Sequence, residues 1–379
     1  MASYRKSHIY EIGSDNFFLF GIGQFIGTEF IANGYNVNVE IWRVDERIGS
    51  IMEKKIRGLQ CRIFPADKQL KLIKGFSSNM AKMFKSESKN QETVFHFMGT
   101  HLLSYHIYAF WIGKNRVIAT HLGNPNPFWR YQKSKSLKHL VFYLAERYFF
   151  LNYYKCIATI CKSEVSYYKK VGVPVKEMSV YGIARENKFI IKDRLLCREK
   201  LGLPLDKKII LQVGRAVEYR GFDWMLNVID YYSENDDYLL IFLGINEWDP
   251  YYNELLKRNC IVKEYMKHTD LVDYYNAADV FIFFIVGEKV LTFGGTGYVP
   301  IESLACGTPV VATSLHHINN TRITEVSRIP SGEKDIIPMI EELISMNINR
   351  ELCRKITLEI FSWDTILKKY WDIYSNNNS

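Results

Sequence analysis

The sequence contains few cysteines, and their spacing excludes two kinds of protein. Seven cysteines occur in 379 residues, which is too few for a small disulfide-stabilised scaffold. None forms a C-x-x-C pair, and the closest two, Cys156 and Cys161, have no second pair or flanking histidine of the kind found in zinc sites. We therefore expect reduced thiols in a cytoplasmic protein.

The sequence also lacks a long uncharged apolar run. A membrane-spanning helix needs about 18 or more consecutive apolar residues, and no window of this sequence reaches that length. Residues 1–10 include Arg5 and Lys6 but no apolar segment like that of a signal peptide. We expect neither a membrane span nor a secretory signal.

Acidic residues are scarce in the first half of the chain. Residues 1–185 contain 27 Lys and Arg against 13 Asp and Glu, a net charge of +14, and the remainder contains 22 against 28, a net charge of −6. Such an asymmetry suggests that the first half faces an anionic partner. A solvated basic face and a surface for anionic lipid or a phosphate-bearing acceptor both remain open. Nucleic acid is not expected, because the sequence contains no known nucleic-acid-binding module.

Short runs rich in Val, Ile, Phe or Tyr alternate with helical patterns along the whole chain. This alternation predicts βα units and parallel sheets whose strands are buried on both faces. A charged, strand-poor segment, Arg185–Leu201, separates two similar halves. We therefore predict an α/β fold of two Rossmann-like domains that face each other across a cleft, where a ligand would bind.

One glycine-rich loop leads directly into a helical pattern. The sequence from Gly294 to Thr313 reads Gly-Gly-Thr-Gly-Tyr-Val-Pro-Ile-Glu-Ser-Leu-Ala-Cys-Gly-Thr-Pro-Val-Val-Ala-Thr, and Pro300 stands where a first-turn proline belongs. The backbone N–H groups of residues 297–299 and the helix dipole predict an anion site. Glu302, one turn further on, could accept hydrogen bonds from two ribose hydroxyls. A plain loop, helix and strand with a capping carboxylate is the alternative.

A second motif places two arginines after a buried strand. The strand pattern Lys208–Val213 ends at Gly214, and Arg215 and Arg220 follow on the loop. Ligands of open α/β sheets lie at the carboxyl ends of the strands, and the guanidinium fork matches phosphate oxygens. The pair predicts a phosphate contact, and two solvated arginines are the alternative.

These motifs resemble those of the retaining, nucleotide-sugar-dependent glycosyltransferases of family 4, which have the two-Rossmann B-type fold. The family's Gly-Arg–x4–Lys-Gly loop is similar to Gly214 through Gly221, with Arg220 in place of the Lys. Its Glu–x7–Glu loop resembles Gly294 through Glu302. Residues 271–280, 305–313 and 361–374 match further family patterns. The resemblance covers roughly residues 154–374, with a weaker match over residues 20–125.

The resemblance assigns roles in the second half. It implies that Arg215 and Arg220 hold the donor diphosphate and stabilise it as the leaving group, and that Glu302 binds the ribose. It also implies that no metal ion and no cofactor are needed, since the arginines and the helix dipole take the place of a metal. The backbone groups implied to lie against the donor are those of Gly214, Gly295, Thr296, Gly297, Tyr298 and Val299.

The resemblance implies further contacts in the first half. Gly21 and Gly23 lie on the first loop, where the family brings its backbone close to the donor phosphate and the acceptor; a plain turn is the alternative. His121 follows the strand pattern Arg116–Thr120, where the family often has a His-Gly pair that reaches the donor sugar, although Leu122 separates the pair here. A buried core histidine is the alternative for His121. The weaker histidine candidates are His96 and His101.

One residue departs from the family pattern at a sensitive place. Gly294 stands where the first Glu of the family loop contacts the donor sugar, so the identity of the sugar stays open, and catalytic competence is itself in question. Glu288, six residues earlier, could reach the same place if the loop folds back.

The segment Lys133–Tyr154 reads as one basic, aromatic helix. Helices of this composition lie in membrane interfaces, or the aromatic face packs on the sheet. Because the first half of the chain is strongly basic, we favour a cytoplasmic enzyme with peripheral membrane contact and a lipid-linked or anionic acceptor.

Together these patterns predict a hexosyltransferase-type enzyme that moves a sugar from a nucleotide diphosphate sugar to a hydroxyl acceptor on a glycan, glycolipid or lipid-linked molecule. We expect residues 1–184 to bind the acceptor and residues 185–360 the donor, with a helix in residues 361–379 that crosses back to the first domain as in the family. The alternatives are a non-catalytic nucleotide- or sugar-binding protein, suggested by Gly294, and a nucleotide-sugar epimerase on the same fold.

Overall fold

The computed structural model describes residues 2–5, 22–56, 59–69, 73, 75–99, 102–121, 126–159, 162–178, 182–183, 189–287, 297–318 and 320–375. The chain divides into two compact units. The first comprises Met1–Val180 together with Ile366–Ser379, and the second comprises Tyr181–Thr365. Among the helices in the described ranges, none is both long and apolar enough to cross a membrane.

Among its described residues, the first unit contains an eight-stranded sheet and six helices that precede residue 180. The strands are β1 (Ala2–Arg5), β2 (Val39–Asp45), β3 (Met52–Ile56), β4 (Leu59–Pro65), β5 (Val94–Phe97), β6 (Val117–Thr120), β7 (Tyr154–Thr159) and β8 (Val175–Glu177). The helices are α1 (Ile22–Ala32), α2 (Ser78–Glu87), α3 (Leu103–Ile112), α4 (Pro127–Ser134), α5 (Leu137–Tyr148) and α6 (Lys162–Lys170).

The sheet of the first unit has the order β3-β4-β2-β1-β5-β6-β7-β8. All neighbouring strands are parallel except the β3–β4 hairpin. The chain thus leaves β1 in one direction and continues from β5 in the other, as in a doubly wound Rossmann domain. β6 is buried at all four residues, which is why this strand reads as a continuous apolar run.

The described part of the second unit contains a six-stranded parallel sheet. Its strands are β9 (Lys208–Val213), β10 (Tyr238–Leu243), β11 (Ile261–Lys263), β12 (Val280–Phe283), β13 (Val310–Ala312) and β14 (Ser327–Arg328). The helices are α7 (Arg194–Leu201), α8 (Phe222–Tyr232), α9 (Tyr252–Leu256), α10 (His268–Ala277), α11 (Tyr298–Ala305), α12 (Ile336–Ser345) and α13 (Arg350–Phe361). A last helix, α14 (Trp363–Ser375), follows.

Successive residues of the strands in the second unit enter two different cores. Ile209 and Leu211 of β9 pack into the core that includes residues of α10, α11 and α13. Ile210, between them, packs into the core that includes residues of α8 and α12. Because both faces of the sheet are covered by helices, both sets of side chains are apolar. The strand order β11-β10-β9-β12-β13-β14 is the Rossmann order, which confirms the predicted α/β fold of two Rossmann-like domains.

Two hydroxyl groups of α14 enter the core of the first unit. The Tyr374 hydroxyl lies 2.7 Å from Nδ1 of His96 in β5, and the Tyr370 hydroxyl lies 3.0 Å from the hydroxyl of Thr120 in β6. His96 also contacts Thr120 through Nε2 at 2.7 Å. Burial lowers the pKa of His96 to about 3, so this histidine is neutral and belongs to the core.

The aromatic segment 133–154 is not one helix, and that prediction is wrong. α4 ends at Ser134, and Lys135 adopts a left-handed conformation with φ 53° before α5 begins. After α5 a 3-10 turn, Phe150–Tyr153, leads into β7. Leu151, Tyr153 and Tyr154 are buried, so the last part of the segment enters the core instead of forming a surface helix.

The segment Arg185–Leu201 contains a helix in its second half. Asp193 caps α7 by accepting a hydrogen bond from the backbone N–H of Leu196 at 2.9 Å, and Gly202 ends the helix with φ 66°. Buried Arg198 donates to Asp279 at 2.7 Å. The six cysteines among the described residues are free thiols, and Cys161 lies outside those residues.

Candidate functional site

The sheet of the second unit reverses its strand order between β9 and β12. From β9 the chain runs outward through β10 to β11, and from β12 it runs the other way through β13 to β14. The loops that follow β9 and β12 therefore leave the sheet side by side at the carboxyl edge. In open α/β sheets this reversal point is where ligands bind.

The loop after β9 holds Arg215 through a buried carboxylate. Nη2 and Nε of Arg215 lie 2.9 and 3.0 Å from Oδ1 of Asp249. The Asp249 side chain is fully buried, whereas that of Arg215 is 57% exposed. Asp249 also accepts the backbone N–H of Asn246 at 3.0 Å. The guanidinium is thus anchored on one side and open to solvent on the other, as a ligand-binding arginine requires.

Asp249 did not emerge from the sequence patterns. It lies 34 residues after Arg215, on the loop after β10, and no spacing rule connects the two. The usable signal is the sheet order, because the loop after β10 lies beside the loop after β9. A carboxylate on one such loop is a natural partner for an arginine on the other.

Arg220 packs its guanidinium on an aromatic ring. Its Cζ atom lies 4.5 Å from the ring centroid of Phe283, at the end of β12, and 5.6 Å from the ring of Tyr219. The planar guanidinium of arginine stacks on aromatic faces more often than the ammonium group of lysine does. The position where the family resemblance expects Lys therefore suits Arg in this chain.

The helix that follows the glycine-rich loop begins beside the same ring. Gly297 caps α11 with φ 75°, a conformation that side chains with a Cβ rarely adopt. A Cβ at Gly297 would lie 3.7 Å from Cζ of Phe283. Phe283 is thus in contact range of both Arg220 and the start of α11. The two sequence motifs, although about 80 residues apart, meet at one point of the sheet edge.

The remaining members of the glycine-rich loop are only partly described. Tyr298 and Val299 form the first two residues of α11, so their N–H groups point out of its N-terminus. The rest of the predicted loop contacts, Gly295 and Thr296, lie outside the described residues. Gly294, which departs from the family pattern, and Glu288, which could take its place, also lie outside those residues.

Glu302 lies inside the second unit and is almost fully buried. Its Oε2 accepts a hydrogen bond of 2.9 Å from the hydroxyl of Tyr275 on α10. Burial and the neighbouring carboxylate raise the pKa of Tyr275 well above its ordinary value, so the phenol keeps its proton and remains a donor. The sequence predicted that Glu302 accepts hydroxyl hydrogen bonds. The structure provides one such donor within the protein, and the ribose role stays a prediction.

His121 directly follows β6 at the carboxyl edge of the first sheet. Its Nε2 lies 3.6 Å from Oε2 of Glu164 on α6, and both side chains are buried. Asn126, the cap of α4, donates to the other Glu164 oxygen at 2.9 Å. Burial raises the pKa of Glu164 to about 7. His121 therefore lies beside a buried carboxyl group whose pKa is near neutrality, and its catalytic role stays a prediction.

Two glycines predicted near the donor lie at the start of the first unit. Gly21 lies outside the described residues. Gly23 is the second residue of α1 and so belongs to a helix, which corrects its assignment to the first loop. The weaker histidine candidate His96 is a core residue, and His101 lies outside the described residues.

Comparison with known proteins finds a family that the second unit resembles. Residues 193–356 match the family model of the glycosyl transferases group 1. The matched residues lie within the second unit. The chain is 25% identical over 195 residues to an uncharacterized glycosyltransferase of Methanocaldococcus jannaschii, with 48% of each chain covered. It is 25% identical over 197 residues to the D-inositol 3-phosphate glycosyltransferase of Xylanimonas cellulosilytica, with 48% of this chain and 45% of that protein covered.

The chain spans about half the length of these curated relatives that it matches. One solved structure is similar in fold over nearly the whole chain. The Anabaena protein HepE, solved in complex with UDP, aligns over 99% of both chains with a TM-score of 0.69 and 13% identity. The chain therefore has the B-type fold of the glycosyltransferases, with two Rossmann-like domains.

Proposed function

We propose that this protein is a retaining glycosyltransferase of family 4 that moves a hexosyl group from a nucleoside diphosphate sugar to a hydroxyl acceptor. The observation that supports this best is the meeting of two anion-binding elements at Phe283. Arg220 stacks on this ring, and α11 begins beside it. Arg215 lies on the same loop as Arg220, anchored by Asp249.

In this proposal the second unit binds the donor. Arg215 and Arg220 contact the diphosphate, the first N–H groups of α11 face it from the neighbouring loop, and Glu302 binds the ribose. Negative charge grows on the diphosphate as the sugar leaves, and donors already placed around it stabilise that charge without reorganisation. Removal of one such donor typically lowers kcat by about 10²–10³-fold.

The same groups make a metal ion unnecessary in the proposed reaction. Two guanidinium groups and the positive end of a helix supply the positive charge that a divalent cation would bring. The departing phosphate takes the proton of the acceptor hydroxyl, so the transfer needs no protein base. His121, at the edge of the first sheet, would contact the donor sugar. Nucleotide-sugar is a substrate here, and no cofactor is proposed.

The acceptor in this proposal carries negative charge. Residues 1–185 have a net charge of +14, and a cationic surface attracts anionic molecules. The Xylanimonas relative is named for D-inositol 3-phosphate, which bears a phosphate. A lipid-linked or phosphate-bearing hydroxyl acceptor fits both facts.

The proposal is tested with three arginine variants and a panel of donors. UDP-, GDP- and ADP-sugars are compared by thermal shift, and release of free nucleotide is then measured with EDTA present. Arg215→Ala and Arg220→Ala should each lower turnover by about 100-fold or more. The control is Arg258→Ala. Arg258 pairs with Asp230 near the end of α8 at the opposite edge of the sheet, so this variant should keep wild-type turnover.

Each outcome of this experiment decides a part of the proposal. Wild-type turnover in Arg215→Ala or Arg220→Ala would refute the proposal that these arginines hold the diphosphate. Loss of nucleotide release in the presence of EDTA would refute metal independence. The anomeric configuration of the product, read by NMR, should match that of the donor, and inversion would refute the retaining mechanism. Binding without release, with a range of acceptors supplied, would favour the non-catalytic binding protein suggested by Gly294. Isomerised donor would favour an epimerase.

A further inference from the structure

Four large apolar side chains lie exposed along one side of α5. Their exposed fractions are 72% for Leu137, 57% for Val141, 41% for Leu144 and 66% for Tyr148. The spacing of four, three and four residues puts them on one face of a helix. The opposite face buries Tyr143. Single exposed apolar residues are ordinary on protein surfaces, but a continuous row of this kind marks an interaction site.

Aromatic residues extend this row beyond the end of α5. Phe149 is 48% exposed, and on α3 Phe110 and Trp111 are 50% and 40% exposed. The rings of Phe110 and Phe149 are stacked with centroids 6.1 Å apart. We call the seven residues together the α5 patch: Leu137, Val141, Leu144, Tyr148, Phe149, Phe110 and Trp111.

The surroundings of the α5 patch are basic. Lys133, Lys135 and Lys138 are exposed where α4 passes into α5, and the ammonium group of Lys85 lies 5.1 Å from the ring centroid of Trp111. Residues 103–153 contain seven Lys and Arg and one carboxylate, Glu146. That carboxylate is 1% exposed, so this stretch presents only positive charge to a partner.

We propose that the α5 patch docks the first unit onto an anionic lipid bilayer. The apolar face of an interfacial helix enters the boundary between headgroups and acyl chains, aromatic rings prefer the same depth, and lysines at the edge pair with anionic headgroups. A second copy of this chain fits less well. A twofold interface would bring the lysines around the two patches close together, and like charges repel.

The test uses vesicle sedimentation and two matched variants. The apolar variant carries Leu137→Gln, Val141→Gln, Leu144→Gln and Tyr148→Gln. The control variant carries Leu195→Gln and Leu196→Gln on α7 of the second unit, where the two side chains are 52% and 64% exposed. Vesicles of phosphatidylcholine alone are compared with vesicles that contain about 30 mol% phosphatidylglycerol, at about 0.1 M and about 0.5 M NaCl.

Wild type and control should bind the anionic vesicles with equal strength, and the apolar variant at least about tenfold more weakly. Binding should fall with salt and be weaker on neutral vesicles. A Lys133→Gln, Lys135→Gln and Lys138→Gln variant should lose binding only to anionic vesicles. The circular dichroism of all variants should match wild type, since every substituted side chain is exposed.

Several results would overturn the docking proposal. The proposal fails if the wild-type protein stays in the supernatant, or if the apolar variant binds vesicles as strongly as wild type. It also fails if wild type binds neutral and anionic vesicles equally. A wild-type dimer that the apolar variant dissociates would show that a second copy covers the patch. Donor binding should be equal in all variants, because none touches the loops after β9 and β12. Failure of donor turnover with lipid binding intact would therefore count against the proposed function alone.

Discussion

Replacing Gly221 by alanine would test how the loop that carries Arg220 is held. Gly221 lies between the 3-10 turn Glu218–Arg220 and α8, with φ 65° and ψ 34°. A Cβ at this position would lie 2.9 Å from Cβ of Phe284 and 3.0 Å from Cγ1 of Val286. The position of the Phe284 Cβ is set by the backbone, so this atom can give way only if the backbone moves, whereas Cγ1 of Val286 can also turn about χ1.

Gly202 provides a matched control for the backbone conformation. It has φ 66° and ψ 33°, and a Cβ there would meet nothing within 4 Å. The left-handed conformation costs a residue with a Cβ roughly 1–2 kcal/mol, and this is the whole loss expected for Gly202→Ala. Overpacking adds typically about 1–3 kcal/mol, so Gly221→Ala should lose about 2–5 kcal/mol.

Both variants act on the second unit, so their losses can be compared in one unfolding transition. The measurement is urea denaturation followed by tryptophan fluorescence. Trp224 lies against Phe284 with ring centroids 6.1 Å apart and reports on this region. Turnover should fall in Gly221→Ala, because Arg220 moves with the loop, and should stay normal in Gly202→Ala. Losses of stability that agree within about 0.5 kcal/mol would refute the clash argument.

Two further predictions concern the first unit. Because burial raises the pKa of Glu164 to about 7 from its ordinary 4.5, the folded state binds the proton more tightly, and the unfolding free energy of this unit should fall as the pH rises between those values. The Glu164→Gln variant should lack this fall. The Tm of the variant minus the Tm of wild type should therefore be more positive at pH 8 than at pH 5. The same pH dependence of Tm in both proteins would contradict the prediction. Tyr374→Phe removes the buried hydroxyl that lies 2.7 Å from His96 and should lower the unfolding free energy by about 1–3 kcal/mol in urea. Tyr265→Phe, at a side chain 80% exposed, should change nothing, and equal effects in the two variants would rule out the hydrogen bond.

The bounds of some strands were predictable to the residue and those of others nearly so. The predicted strand Lys208–Val213 has the bounds of β9, whereas the predicted strand Arg116–Thr120 begins one residue before β6. β11 and β14 have three and two residues, which is too short for a pattern to stand out from a loop. The prediction of a single helix over residues 133–154 was wrong, because the sequence does not show which aromatic residues enter the core and which remain at the surface.

The sequence predicted each motif of the candidate site separately, but not the contacts between them. Gly214, Arg215 and Arg220 follow a buried strand, and Gly297 precedes a helix, so each local role follows from glycine conformation, charge and position. The anchor of Arg215 was not predictable, because Asp249 comes from another loop. The core role of His96 was not predictable, because its hydrogen-bond partner Tyr374 is 278 residues away in the chain.

The sequence by itself determined that the chain forms two α/β units, that strands such as β6 and β12 are buried on both faces, and that a glycine-rich loop opens a helix. These features depend on neighbouring residues, since apolar periodicity and backbone conformation are local properties. The tertiary structure alone decided that Arg220 and the start of α11 meet at Phe283, that Asp249 holds Arg215, and which face of α5 stays exposed. Such contacts depend on the order of strands in the sheet and on helix packing, which join residues that no spacing in the sequence relates.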